Sequence, residues 1–165
     1  MKRLVLIALL LTAWVVPAAA HDVKKITRGD LVQRNGLFYE KFSNTPFNGT
    51  TTGQFKKPFK NGRLHGVEEI YNSRGQLSSL ITYKDGIRHG KALHYHDNGK
   101  LHEEATYKSD LKDGPYVLWW YNGQLRAKGV YEAGTREGRW MDFHEDGTPD
   151  LKKTGTYQMD VHIGP

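Results

Sequence analysis

The chain contains no cysteine, which removes disulfides, thiolate metal sites, cysteine nucleophiles and a lipidated cysteine anchor together. Proline is scarce, at 6 residues of 165. Beyond the first 20 residues no long apolar run and no helix-period stretch occurs. Catalytic signatures are missing too: there is no nucleophile elbow, no glycine-rich phosphate loop and no paired-histidine helix motif. The serines (Ser43, Ser73, Ser78, Ser79, Ser109) stand in no recognisable motif. The expectation is a protein that is not an enzyme and needs no cofactor. At this length there is room for one domain, held by burial and strand pairing alone.

Glycine and aromatics are plentiful, with 18 Gly, 9 Tyr, 6 Phe and 4 Trp, a mix that suits a turn-rich β protein. The first 20 residues have a different character. Lys2 and Arg3 precede an apolar run of about 13 residues, Leu4 to Val16, and Pro17-Ala18-Ala19-Ala20 ends in an A-x-A pattern. This is the form of a secretory signal peptide cleaved after Ala20, and the run is shorter than the ~20 residues a spanning helix needs. A periplasmic or secreted location is expected. Loss of Lys2 and Arg3 lowers the net charge from +6 to +4, with 22 basic residues against 18 acidic ones. So small and dispersed a surplus argues against nucleic acid as a partner.

An internal repeat organises the rest. Gly66, Gly90, Gly114 and Gly138 are spaced by 24, and so are Gly75, Gly99, Gly123 and Gly147. Tyr71, Tyr95, Trp119 and Phe143 keep the same period, as do Leu77, Leu101 and Leu125. Each unit reads as two short strands and two turns. In one unit, Lys91 to His96 and Lys100 to Tyr107 flank Asp97-Asn98-Gly99, a strong hairpin signal. A second turn, spanning Asp85-Gly86 through His89-Gly90, is expected to lead into the next hairpin. A three-residue loop closed by a left-handed glycine would pair Tyr95 with Leu101. On that register Leu93, Tyr95, Leu101, Ala105 and Tyr107 are expected on one buried face. Ala92, His94, His96, His102, Glu104 and Thr106 are expected on a wet one.

The ends are irregular, as capping units of a repeat array are. The expected organisation is a signal segment 1–20, an N-terminal hairpin and capping segment 21–58, the repeat array 59–157, and a C-terminal tail 158–165. Arg34-Asn35-Gly36 marks a hairpin in the cap. The last hairpin is two residues longer than the others, since Tyr157 lies ten beyond Gly147.

Two clusters are candidate sites. Tyr116, Trp120 and Trp140 fall out of phase with the Tyr71–Phe143 ladder, and Arg126 and Lys128 stand near them in sequence. Large aromatics gathered on a wet face suit contact with a protein, a glycan or a membrane surface. The second cluster is His94, His96 and His102, with His94 expected directly opposite His102. Three imidazoles on one hairpin face form a candidate zinc or copper site, although solvated surface histidines explain the same residues.

Segments such as His89-Gly90-Lys91 through Asn98-Gly99-Lys100-Leu101, and Gly114-Pro115-Tyr116 through Asn122-Gly123-Gln124-Leu125, resemble MORN-repeat variants, in the bacterial form of the YwqK-like antitoxin family. The resemblance covers roughly residues 60 to 157 and implies a repeat scaffold that docks a partner. The fold expected is all-β: an elongated, single-layer, twisted antiparallel meander of 24-residue hairpins. The function expected is non-catalytic partner binding outside the cytoplasm. Neutralisation of a cognate toxin, and metal or small-ligand binding through the histidines, are the rival readings.

Overall fold

The computed structural model describes residues 23–165; the expected signal segment and its cleavage point lie outside the described residues. The chain begins with β1 (Lys25–Thr27), a single 3-10 turn (Arg28–Asp30), and a hairpin of β2 (Leu31–Arg34) and β3 (Leu37–Glu40) turning at Asn35-Gly36. Next come β4 (Gly49–Thr52), β5 (Phe55–Lys56), β6 (Pro58–Lys60) and β7 (Arg63–Leu64). β1, β4, β6 and β7 form a small sheet in which β1 runs parallel to β4. The threonine-rich stretch Thr50 to Phe55 is thus split between the two sheets. β4 stays in the small sheet, while β5 joins the edge of the main one.

The main sheet has ten strands. From β5 it continues through β8 (Gly66–Tyr71), β9 (Leu77–Lys84), β10 (Ile87–Tyr95), β11 (Leu101–Lys108), β12 (Leu111–Trp119), β13 (Leu125–Glu132), β14 (Thr135–Asp142), β15 (Gly155–Gln158) and β16 (Val161–Gly164), each antiparallel to the last. Residues expected as a C-terminal tail therefore supply β16, the outer edge strand.

Two kinds of turn alternate along the meander. At one end, three-residue loops close with His96 N–H on the Lys100 carbonyl (2.8 Å) and Gly99 N–H on the His96 carbonyl (2.9 Å). Loops at Asn72, Trp120 and His144 repeat this pattern. Gly99 has φ +80°, the left-handed value the loop requires. Tyr95 pairs with Leu101, Tyr71 with Leu77 and Trp119 with Leu125, the register read from the sequence. At the other end the turns are tighter than expected. Lys84 pairs with Ile87 around Asp85-Gly86 alone, with φ +53° and +93°. Two positive φ values make the primed turn whose twist matches its strands. Gly90, expected in the turn, lies within β10 at a bulge (φ +111°).

The assignment of faces is corrected. A bulge follows the three-residue loops at Asn72, His96 and Trp120, so Tyr95 faces Leu101 while His94 faces Glu103. His102 is the extra residue, and the side alternation of β11 flips there. Leu101 then shares a face with Leu93 and Tyr95, whereas Ala105 and Tyr107 share the other with Ala92 and His94. The core forms on this second face, from Ala92, Ala105, Tyr107, Tyr116, Trp140 and Tyr157, with Ile81, Leu118 and Tyr131 against it. Tyr71, Tyr95, Trp119 and Phe143, expected to be buried together, are half-buried on the opposite side.

Candidate functional site

The closed face carries one row that runs Glu68, Ile81, Ala92, Ala105, Tyr116, Gly129 across successive strands. Trp140 completes it by lying over Gly129. A side chain on Gly129 would stand 2.3 Å from the indole ring, so the backbone there must be bare. Trp140 is 0% exposed and donates its Nε1–H to the Val130 carbonyl at 3.1 Å. Tyr116, Tyr131, Trp140 and Tyr157 contact one another with centroids 5.0–6.4 Å apart, mostly edge to face. Arg88, Lys112 and Arg136, spaced by 24, roof this layer. They lie 4.4 Å from the Tyr107 centroid, 4.3 Å from Tyr116 and 4.5 Å from Trp140 respectively.

Two of the carboxylates on the closed face are paired. Glu68, 2% exposed, holds Lys57 at 2.7 Å. Glu103 holds Lys112 at 3.0 Å and accepts the Tyr116 hydroxyl at 3.1 Å. Burial, reinforced by Glu103, pushes the Tyr116 phenol above its usual range.

A cavity of about 220 Å³ opens at the C-terminal end of this face. Trp120, Arg126, Arg136, Asp142 and Lys153 are among the residues around it. Asp142 occupies the column of Ile70, His94 and Leu118. The longer last hairpin folds Asp150 and Lys153 to the same cavity. Asp142 N–H donates to Thr154 Oγ1 at 2.9 Å, and the Thr154 hydroxyl donates back to the Asp142 carbonyl at 3.1 Å. Burial raises the Asp142 carboxyl above the ordinary aspartate value, against the pull of Arg136.

The residues expected to form a binding surface separate. Tyr116 is 7% exposed and, with Trp140, belongs to the core; the bulges bring these aromatics to the packed side. Trp120 is half-buried and donates Nε1–H to the Phe143 carbonyl of the next unit at 3.1 Å. Arg126 stacks on Trp120 at 4.3 Å. Lys128 pairs with Val117 and Met141 on the opposite face. Only Trp120 and Arg126 therefore act together near the surface.

The histidines also separate. His94 Nδ1 lies 2.8 Å from Ser79 Oγ, and Glu103 stands opposite it where His102 was expected. His102 meets His96 instead, with Nδ1 and Nε2 3.1 Å apart. His96 Nε2 is also 3.2 Å from the Trp119 carbonyl. This position, 24 residues before Trp120, makes the same link to the following unit. Among the described residues no group of three His, Cys, Asp or Glu side chains is placed to hold a metal ion. Burial and the neighbouring His96 lower the His102 pKa.

The sequence reading passed over Asp142 and the column Arg88–Lys112–Arg136. Both were visible in the period: one as a carboxylate breaking an otherwise uncharged or apolar column, the other as three cations 24 apart.

The open face has two rows. One pairs Tyr71 with Leu77, Tyr95 with Leu101 and Trp119 with Leu125, with Phe143 completing the aromatic series. The other runs Glu69, Leu80, Leu93, Glu104, Val117, Lys128, Met141. Val67 and Val130, nearer the tight turns, are 48% and 47% exposed. Nothing among the described residues forms a second layer over these rows.

Residues 64–85, 88–109 and 112–133 match the model of the MORN repeat variant, as three consecutive units. These three hairpins are similar to MORN repeat variants. Each matched stretch runs from one tight turn to the next, so the repeating element is one hairpin with its three-residue loop. The three matched units contain most of the open face and end before the cavity's inserted hairpin. No curated protein matches the chain.

Proposed function

We propose that the chain is an exported, non-catalytic repeat module that binds a protein partner through the open face of its ten-stranded sheet. The observation that carries this reading is the pair of rows on that face. Aromatic and aliphatic side chains recur every unit, are half-buried, and have no layer above them among the described residues. An extended apolar surface edged by Glu69, Glu104 and Lys128 has the composition of a protein-docking face. The open face replaces the aromatic cluster that the sequence suggested. Export rests on the segment Lys2 to Ala20 alone. It is tested by intact-mass analysis of envelope protein, where a chain beginning at His21 is expected. A full-length chain in the cytoplasm would overturn export and favour the toxin-neutralising reading.

The binding test is capture from the envelope fraction with the mature chain as bait. Leu93→Lys and Val117→Lys, both on the open face, should abolish capture of a partner that the unaltered chain retains. Circular dichroism would verify that both variants fold. Undiminished capture by both would sink the reading.

A further inference from the structure

We infer that the cavity at the last hairpin binds a small α-hydroxy or α-amino acid, its carboxylate held by Arg126 and Arg136 and its neighbouring hydroxyl or ammonium hydrogen donated to Asp142. The inference is independent of the partner-binding proposal, because the cavity lies on the other face of the sheet.

Two buried carboxylates border this cavity, and they differ. Asp150 is satisfied: Oδ1 accepts the Lys152 N–H at 3.1 Å, and Oδ2 lies 3.2 Å from Lys153 Nζ. Asp142 is 8% exposed, and its Oδ2 is buried with no hydrogen-bond partner among the described residues. An orphaned buried acceptor is costly and uncommon. The fold does not ask for it, because the equivalent positions are filled by Ile70, His94 and Leu118. The arrangement is confined to the last unit, where the lengthened loop carries Asp150 and Lys153 to the cavity and Thr154 pins the Asp142 backbone.

The surrounding charge narrows the ligand. Arg126, Arg136 and Lys153 outnumber Asp142 and Asp150 by one, so the cavity favours an anion. Among the described residues no salt bridge occupies either guanidinium, and arginine is suited to gripping a carboxylate with two hydrogen bonds. A bare anion would be repelled by Asp142. The ligand must therefore turn a hydrogen-bond donor toward the Asp142 carboxyl. Size sets the last limit: about 220 Å³ falls below the roughly 300–1,000 Å³ of drug-sized pockets.

The test is an NMR titration of the full chain with L-lactate and L-alanine. Propionate, which lacks the donor, and lactamide, which lacks the carboxylate, serve as comparisons. Lactate or alanine should shift the amide signals of Asp142 and Thr154 and the Trp120 indole signal. Propionate and lactamide should bind about tenfold more weakly or worse. Preference for alanine identifies an ammonium donor, and preference for lactate a hydroxyl. Asp142→Asn and Arg126→Gln should each weaken binding about tenfold, while Lys128→Gln, on the other face, leaves it unchanged. Arg126 is exposed, so its variant carries the test if Asp142→Asn does not fold. The inference is overturned if neither acid moves these signals, if propionate binds as well as lactate, or if Lys128→Gln matches Arg126→Gln.

Discussion

The two faces of the ten-stranded sheet are built from the same strands and the same period, yet only one is packed. On the closed face, small and large residues alternate across strands: Ala92 and Ala105 leave room, Gly129 vanishes, and Trp140 fills the space. Arginine and lysine stems then cover the rings, so a single layer of strands buries a tryptophan completely. On the open face the ladder Tyr71, Tyr95, Trp119, Phe143 is uniformly large. Each of the first three faces a leucine (Leu77, Leu101, Leu125) rather than a small residue, and the ladder remains half-exposed. Burial in a one-layer protein thus follows size complementarity between neighbouring strands more than hydrophobicity.

That contrast can be broken at graded cost. The largest effect is expected from Trp140→Ala, which empties the closed face and should destabilise by about 3–5 kcal/mol, read from urea unfolding. Gly129→Ala comes next. Its new methyl would meet the indole at 2.3 Å, and overpacking of this kind costs about 1–3 kcal/mol; pairing it with Trp140→Ala should recover part of the loss. Trp119→Ala, at an equally aromatic position on the open face, should cost only about 1 kcal/mol and leave the unfolding slope unchanged. A loss as large as that of Trp140→Ala would mean the faces are not distinct.

The smallest effect has the opposite sign. Burial holds the Asp142 carboxyl above its ordinary value of 3.8, so folding favours the neutral form. The resulting penalty is present above the raised value and disappears below 3.8. Asp142→Asn should therefore raise the melting temperature at neutral pH by a few degrees, about 1 kcal/mol. The difference should close as the pH falls through the raised value toward 3.8. A variant that melts lower at neutral pH would show the carboxylate to be stabilising.

Much of the fold was legible because turns are local. The glycine after Asp97-Asn98 and the tyrosine–leucine pair around it define a loop that needs only a few residues and one positive φ. The resemblance to MORN-repeat variants and the hairpin period agree with the matched stretches. The candidate site was less legible. Tyr116 and Trp140 were rightly set apart from the ladder, but the side they occupy depends on a bulge at each loop. Strict alternation carried Leu101 and Ala105 to one face, and the extra residue at His102 puts them on two. The same shift replaced His102 with Glu103 opposite His94, which dissolved the expected imidazole trio.

What the sequence by itself determined is the unit: its length, its three-residue loop, and the pairing of Tyr95 with Leu101. These depend on backbone conformations that glycine and a few turn residues specify locally. Only the tertiary structure decided which face is core, that β16 forms the edge, and that one Asp142 oxygen is buried without a partner among the described residues. Each of those depends on how side chains from different units fit together across strands, and a one-residue bulge is enough to exchange the sides on which they meet.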